Sequence, residues 1–409
     1  LGASGDFNVT RATTATRVNA SGLIEVVASG IPRLDYPLGG GCPALLVEPS
    51  GSNLVVQSEN WLASGWRSDA TANVTTVSAT TGTLDPYGTN TANAISPTSG
   101  NTTHLKFGSD GSTSFTSGTI YTSSAFFKQG AGNAGRYVQL TFVNTRFTQL
   151  GYANFDLQLG TVAVVSGTSA DTNRAASIEN YGNGWYRCRF TATCNSAGTT
   201  NGISISLIEA SGATRLPTFS GTTTDILYGW GAQTETGSVA TSYIPTTTTS
   251  ATRNADNISL SGVVSGCIGQ TQGTLYAEVD VSKLLGATAR PIFAIETGTS
   301  RVQLFFTGLS ANTIRALVRE TNVTKYDART TITTTGIIKL AIAYKSLDTA
   351  FYVNGVQITN VLTNLSFGSI NFSDVLLGSA DTNFFNDRIR SAAIYTTRLT
   401  DAQLAALTT

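Results

Sequence analysis

The feature that most constrains this chain is a hydrophobic repeat of two residues. In RYVQLTFVN (136–144), Val138, Leu140 and Phe142 share one face while Tyr137, Gln139 and Thr141 share the other. In NGISISLIEA (201–210), Ile203, Ile205 and Leu207 alternate with Ser204 and Ser206, and in TLYAEVDV (274–281) Leu275, Ala277, Val279 and Val281 alternate with Tyr276, Glu278 and Asp280. A period of two is the signature of a half-buried strand. Repeated between Gly- and Ser-rich turns, it predicts sandwiches of antiparallel sheets.

Length sets how many such units there are. A chain of 409 residues exceeds the ~250–300 residues over which one core keeps growing. Residues 1–50 carry short extended runs broken too often by Gly, Pro and Ser to close a core, and read as an N-terminal arm. Residues 51–250 form a first β unit. YIPTTTTSATRNADN (243–257) is the linker, since Pro245 and four successive threonines disfavour helix. Residues 251–409 form the second. Within it Asn354-Gly355 predicts a type I′ hairpin turn, because both central residues need positive φ. The closing LTDAQLAALTT predicts a short helix with a capping box between Thr400 and Gln403.

Charge narrows the partners. Asp, Glu, Lys and Arg make up 12% of the chain and cancel to zero, against about 25% in ordinary soluble domains. Nucleic acid and anionic membrane are held through clustered Lys and Arg, so neither is expected. No apolar run approaches the ~20 residues of a membrane span. A chain that opens at Leu1 and contains no methionine is expected to have lost an upstream segment or to have its first codon recorded unusually.

The chemistry-bearing residues are few. GAGNAG (130–135) has dinucleotide-motif spacing, but RYVQLTFVN follows it, so it predicts a loop between strands instead of a phosphate-binding turn before a helix. His104 is the sole imidazole, and no Gly-x-Ser-x-Gly elbow occurs. Glu278 and Asp280 fall about 7 Å apart on one strand face. Cys42, Cys188, Cys194 and Cys267 make no Cys-x-x-Cys pair and read as buried thiols. Cys188 and Cys194 would lie roughly 20 Å apart on a continuous strand. In SADTNFFNDR (379–388), Asp381, Asn383, Asn386 and Asp387 are oxygen donors of the kind calcium takes, with Asp381, Asn383 and Asp387 the calcium candidates; no other cofactor is expected. Of Trp61, Trp66, Trp185 and Trp230, Trp66 is the candidate for an exposed, sugar-stacking ring, and Trp185 and Trp230 read as core.

Two resemblances cover nearly the whole chain. YGNGWYRCRFTAT (181–193), followed by LYGWGAQTETGSVATSYIPTT (227–247), resembles a carbohydrate-binding-module-like jelly roll found in tail-fibre, head-fibre and related surface proteins of bacteriophages. DPYGTNTANAI (85–95), YTSSAFFKQG (121–130) and the arm that precedes them match the same proteins. LAIAYKSLDTAFYVNGVQI (340–358) and LLGSADTNFFNDRIRSAAIYTTRLTDAQLAAL (376–407) are similar to the laminin-G/concanavalin A-like lectin sandwich. Glu278 and Asp280 also resemble the start of the Glu-x-Asp-x-x-Glu signature of laminarinase-like glucanases, but Lys283 stands where the last glutamate belongs.

The resemblance implies an all-β chain of two antiparallel β-sandwich (jelly-roll) domains behind an extended N-terminal arm. It implies a bacteriophage surface protein, fibre or decoration, that adheres to host-surface or environmental polysaccharide without catalysis. The arm would meet other virion subunits, and the chain would form a homo-oligomer, a trimer by analogy with fibres. Two alternatives stay open: a purely structural capsid or tail decoration, and a polysaccharide depolymerase subunit whose catalytic part lies outside this chain.

Overall fold

The computed structural model describes residues 7–67, 75–79, 82–109, 112–261 and 266–409. The alternating segments form strands, and every strand pair described is antiparallel. Two six-stranded sheets make the first sandwich, one centred on Tyr137–Thr141 and Ile203–Ile208, the other on Trp185–Thr193, Ile120–Gln129 and Leu227–Thr236. The inner faces supply the core predicted from the repeat: Val138, Leu140 and Phe142 meet Ile203, Ile205 and Leu207 from one sheet and Cys188 and Phe190 from the other.

The second sandwich pairs an eight-stranded sheet, with Arg290–Thr297, Ser300–Phe306 and Thr313–Glu320 at its middle, against a seven-stranded sheet built around Gln272–Val281 and Gly336–Lys345. Leu275, Ala277, Val279 and Val281 all face inward, as their alternation requires. The fold is thus all-β, with a single short helix, Asp401–Thr408, among the described residues. Thr400 and Gln403 cap that helix reciprocally, and Leu404 seats it on Tyr276 and Tyr352. The hairpin turn falls at Asn354 and Gly355, whose φ values are 47° and 79°, between the paired Val353 and Val356.

The first 50 residues run as short extended pieces added to these sheets. Asn8–Thr10 edges the eight-stranded sheet, and Leu34–Asp35 and Ala44–Val47 extend the seven-stranded one. Val47 is buried in the core of the second sandwich, whereas Ile24, from the hairpin Ala15–Val18/Ile24–Val27, packs with Trp230 and Tyr243 of the first. Burial of these apolar side chains on both sides ties the segment to each sandwich. No described helix is long and apolar enough to cross a membrane.

Candidate functional site

A polar cleft of about 500 Å³ opens where the arm, the first sandwich and the second sandwich meet. Its first wall comes from the YGNGWYRCRFTATC stretch. Gly182, Asn183 and Gly184, at φ 78°, 51° and 80°, turn the chain between Ala175–Gly182 and Trp185–Thr193. Alternation then sends Ile178, Cys188 and Phe190 into the core and leaves Glu179, Tyr181, Arg187 and Arg189 lining the cleft. The second wall is Ser282, Lys283, Asp387 and Arg388; the arm adds Thr16, Arg17, Asp35 and Glu48, and residues 238–242 add hydroxyls.

The cleft carboxylates are held by specific partners. Glu179 accepts from Arg189. Asp35 Oδ2 accepts from Arg388 Nε at 2.6 Å, and Asp387 Oδ2 accepts from the Ser282 amide at 2.8 Å. Glu48 accepts from Arg33 Nη1 at 2.8 Å and from Ser242 N and Oγ at 2.8 and 2.7 Å.

These settings push the carboxyls in opposite directions. Burial raises Glu48 and Glu179, but the neighbouring guanidinium groups, Arg33 and Arg253 for the one and Arg189 and Arg388 for the other, outweigh it and hold both below the usual carboxylate range. Burial also raises Asp387, and there Lys283 and the Ser282 amide offset only part, leaving it high. Burial likewise lowers the Lys283 ammonium, against partial compensation from Asp387 and Glu48. Lys283 makes no hydrogen bond or ion pair among the described residues. The residue that interrupts the glucanase-like signature therefore lines the cleft.

Behind this wall lies a buried charge cluster that the sequence pattern does not announce. Arg11 donates to Asp256 Oδ1 at 2.7 Å, Arg33 donates to Asp256 Oδ2, and Arg253 lies 3.5 Å from Glu48 and 3.8 Å from Asp256. Arg253 and Asp256 belong to the segment read as a linker; here they pair with Glu48 and Arg33 of the arm.

The other sites read from sequence lie elsewhere. Trp66, expected to show an exposed ring, is 6% exposed. It stacks on Trp61 at 4.6 Å and its indole N–H donates to Val56 O and Gln57 O at 3.2 and 3.0 Å. Room for it comes from Gly108, directly opposite in the strand pair, where an added Cβ would lie 2.9 Å from the indole. Trp66 therefore offers no platform for a sugar; Trp185 and Trp230 are core, as expected.

The calcium candidates do not converge on common partners. Asp381 sits outside at a turn with φ 55° and pairs with Arg301 at 3.1 Å, and Asn383 is exposed. Asp387, at the start of the next strand, is turned inward and 2% exposed; the Asn386 side-chain oxygen is buried without a partner. No group of three acidic, His or Cys side chains able to hold a metal occurs among the described residues.

GAGNAG is a loop between Ile120–Gln129 and Tyr137–Thr141. Its glycines let Asp225 approach: a Cβ on Gly132 would lie 1.8 Å from that carboxylate, which accepts from the Ala134 amide at 3.0 Å. His104 is buried, with Nε2 3.1 Å from Phe219 O. Glu278 accepts from Arg390 Nε at 2.7 Å. Cys188 and Cys194 are buried free thiols, but Cys42 and Cys267 are exposed, because each sits in a loop and not on an inward strand face.

No protein-family profile matches the sequence, and no curated protein resembles it. Among solved structures the chain is similar in part to binding domains of botulinum neurotoxins. One is the binding domain of neurotoxin DC in complex with rat synaptotagmin II, at 14% identity and TM-score 0.31, covering 38% of this chain and 40% of that one. Another is neurotoxin type C, described as entering cells through interaction with two ganglioside molecules, at 12% identity and TM-score 0.30, covering 38% and 39%. A third is the serotype D binding domain, at 14% and 0.31, covering 37% and 39%. The chain spans about two fifths of the length of these proteins. Overlap of this extent and quality carries no conclusion about its ligand.

Proposed function

We propose that the chain is a non-catalytic adhesive protein of a bacteriophage particle surface, a fibre or a decoration, that holds host-surface or environmental glycans in the cleft between its sandwiches. The carrying observation is the cleft itself: about 500 Å³, within the ~300–1,000 Å³ of ordinary ligand sites. Serine and threonine hydroxyls, the Tyr181 ring and the unpaired Lys283 line it. Hydroxyl-rich ligands need such donors and acceptors beside an apolar ring face. The fibre-like motifs described above support the setting on a particle. Weak sites of this kind gain avidity when copies act together, so a homotrimer is the proposed form.

The test is glycan-array binding of the full chain beside its Tyr181→Ala and Lys283→Ala variants. Retention of defined glycans by the parent and about tenfold weaker binding by either variant, the effect of about 1.4 kcal/mol, is the expected result. Absence of any bound glycan while the chain still binds phage particles would favour the structural decoration instead. Hydrolysis is favoured by a single observation, a raised Asp387 facing the same cleft as a lowered Glu179. A fall in polysaccharide viscosity with the purified chain would establish it.

A further inference from the structure

The outer face of the eight-stranded sheet carries a second, smaller concavity of about 190 Å³ that shares no lining residue with the cleft. On strands Ser300–Phe306 and Thr313–Glu320, Arg301 lies opposite Arg319, Gln303 opposite Leu317 and Phe305 opposite Arg315. These residues alternate with Val302, Leu304 and Phe306 and with Ile314, Ala316 and Val318, all of which are in the core. The former set therefore stands on the outer face.

Charge on that face is not balanced. Arginines directly opposite one another across an antiparallel pair repel. Arg315 and Arg329 are so placed, and Asp327 relieves them by accepting from Arg315 at 2.8 and 2.9 Å and from Arg329 at 3.1 and 2.8 Å. Arg301 has Glu296 at 3.4 Å and Asp381 at 3.1 Å. Arg319 has no such partner: its guanidinium makes no hydrogen bond or ion pair among the described residues, and its Nε is buried. Gln303, one position along the same face, is 6% exposed, and its amide also makes no hydrogen bond among the described residues. The buried Arg319 Nε is an unmet donor, and its cost is one that an accepting ligand would recover.

We infer that Arg319, Gln303 and Phe305 form a binding site for a single sugar unit bearing an oxyanion, a carboxylate or a sulfate. A guanidinium fork matches paired oxyanion oxygens, the Gln303 amide supplies a donor and an acceptor for a ring hydroxyl, and half-buried Phe305 gives an apolar wall. A volume of about 190 Å³ lies below the ~300 Å³ at which ordinary ligand pockets begin, so the site takes one unit and not a chain. Its occupation does not depend on the cleft.

Saturation-transfer NMR titration of the full chain with glucuronic acid, glucose 6-sulfate and glucose tests this. At least one acidic sugar should bind, the two arms identifying the oxyanion, and glucose should bind about tenfold more weakly or not at all, as loss of one charge-assisted contact requires. Arg319→Gln should weaken the acidic sugar about tenfold and Arg319→Lys less. Equal binding of glucose, or undiminished binding of the acidic sugar by Arg319→Gln, overturns the assignment. Should Arg319→Gln fail to fold, Gln303→Leu decides: undiminished binding there overturns it equally.

Discussion

The Arg33 guanidinium donates to Asp256 across 223 residues of chain, and this contact joins the arm to the segment between the sandwiches. Both side chains are buried, and Arg33 also donates to Glu48 Oε2, Thr16 O and Ser242 Oγ. A buried ion pair contributes little over an apolar replacement, but removing one partner strands the other charge. Arg33→Ala should therefore lower unfolding stability by about 3–5 kcal/mol, read as a shift in urea midpoint. A loss below about 1 kcal/mol would match a surface pair instead and refute the buried cluster.

Acid should attack the same cluster. The Glu48 carboxyl is held below its unfolded value by Arg33 and Arg253 against the upward push of burial, so the folded state binds its proton less readily than the unfolded state. Its stabilisation is full above the ordinary carboxylate pKa and is lost as pH falls toward the folded value. Asp387 is raised by burial and acts with the opposite sign, gaining stability as pH falls through its folded value. Melting temperatures measured from pH 6 to pH 2 should fall in the parent chain, fall less steeply in Glu48→Gln and more steeply in Asp387→Asn. Parallel curves for all three would contradict the assignment.

Much of the fold was legible because strands announce themselves in short range. Val138, Leu140 and Phe142 declare an inward face within five residues, and Asn354-Gly355 and Thr400–Gln403 specify a turn and a cap by local chemistry alone. The YGNGWYRCRFTATC stretch forms a turn and a strand by the same local chemistry. The cleft was not legible. Arg33, Glu48, Arg253 and Asp256 meet through long-range folding, and nothing in a local pattern distinguishes a buried arginine from a solvated one. Trp66 misled because its glycine- and serine-rich surroundings look like a loose loop, and the space that buries it is made by Gly108, more than forty residues away in sequence.

The thiols offer a check on which faces are inward. Cys188 and Cys194 are fully buried, and burial raises both above the ordinary thiol pKa, so neither has much thiolate for reaction. Cys42 and Cys267 are exposed. Ellman's reagent should titrate two thiols per native chain and all four in guanidinium chloride, with peptide mapping assigning the fast pair to Cys42 and Cys267. Reaction of Cys188 in the native chain would mean that the strand carrying Arg187 and Arg189 is turned over, which would also remove those residues from the cleft.

Gly229 tests how tightly the first sandwich is packed. It lies on the strand Leu227–Thr236 opposite Phe127, and a Cβ there would come within 2.3 Å of the Trp61 indole. Trp61 cannot give way easily: it is stacked on Trp66 at 4.6 Å with 16° between planes, and meets Phe127 edge-on at 6.2 Å. Its N–H is also fixed to Ser58 O at 3.0 Å. Inserting a methyl into so constrained a place should destabilise the chain by about 1–3 kcal/mol, seen as a lower urea midpoint with an altered near-ultraviolet circular dichroism spectrum. Gly182→Ala is the matched control. Unlike Gly229, Gly182 has positive φ, at 78°, and a Cβ there meets nothing within 4 Å. Its cost should be the backbone strain of about 1–2 kcal/mol, with the aromatic spectrum unchanged. If both variants left the spectrum unaltered, the glycine at 229 would not be there to admit the indole, and the tryptophan stack would not be the packed feature described.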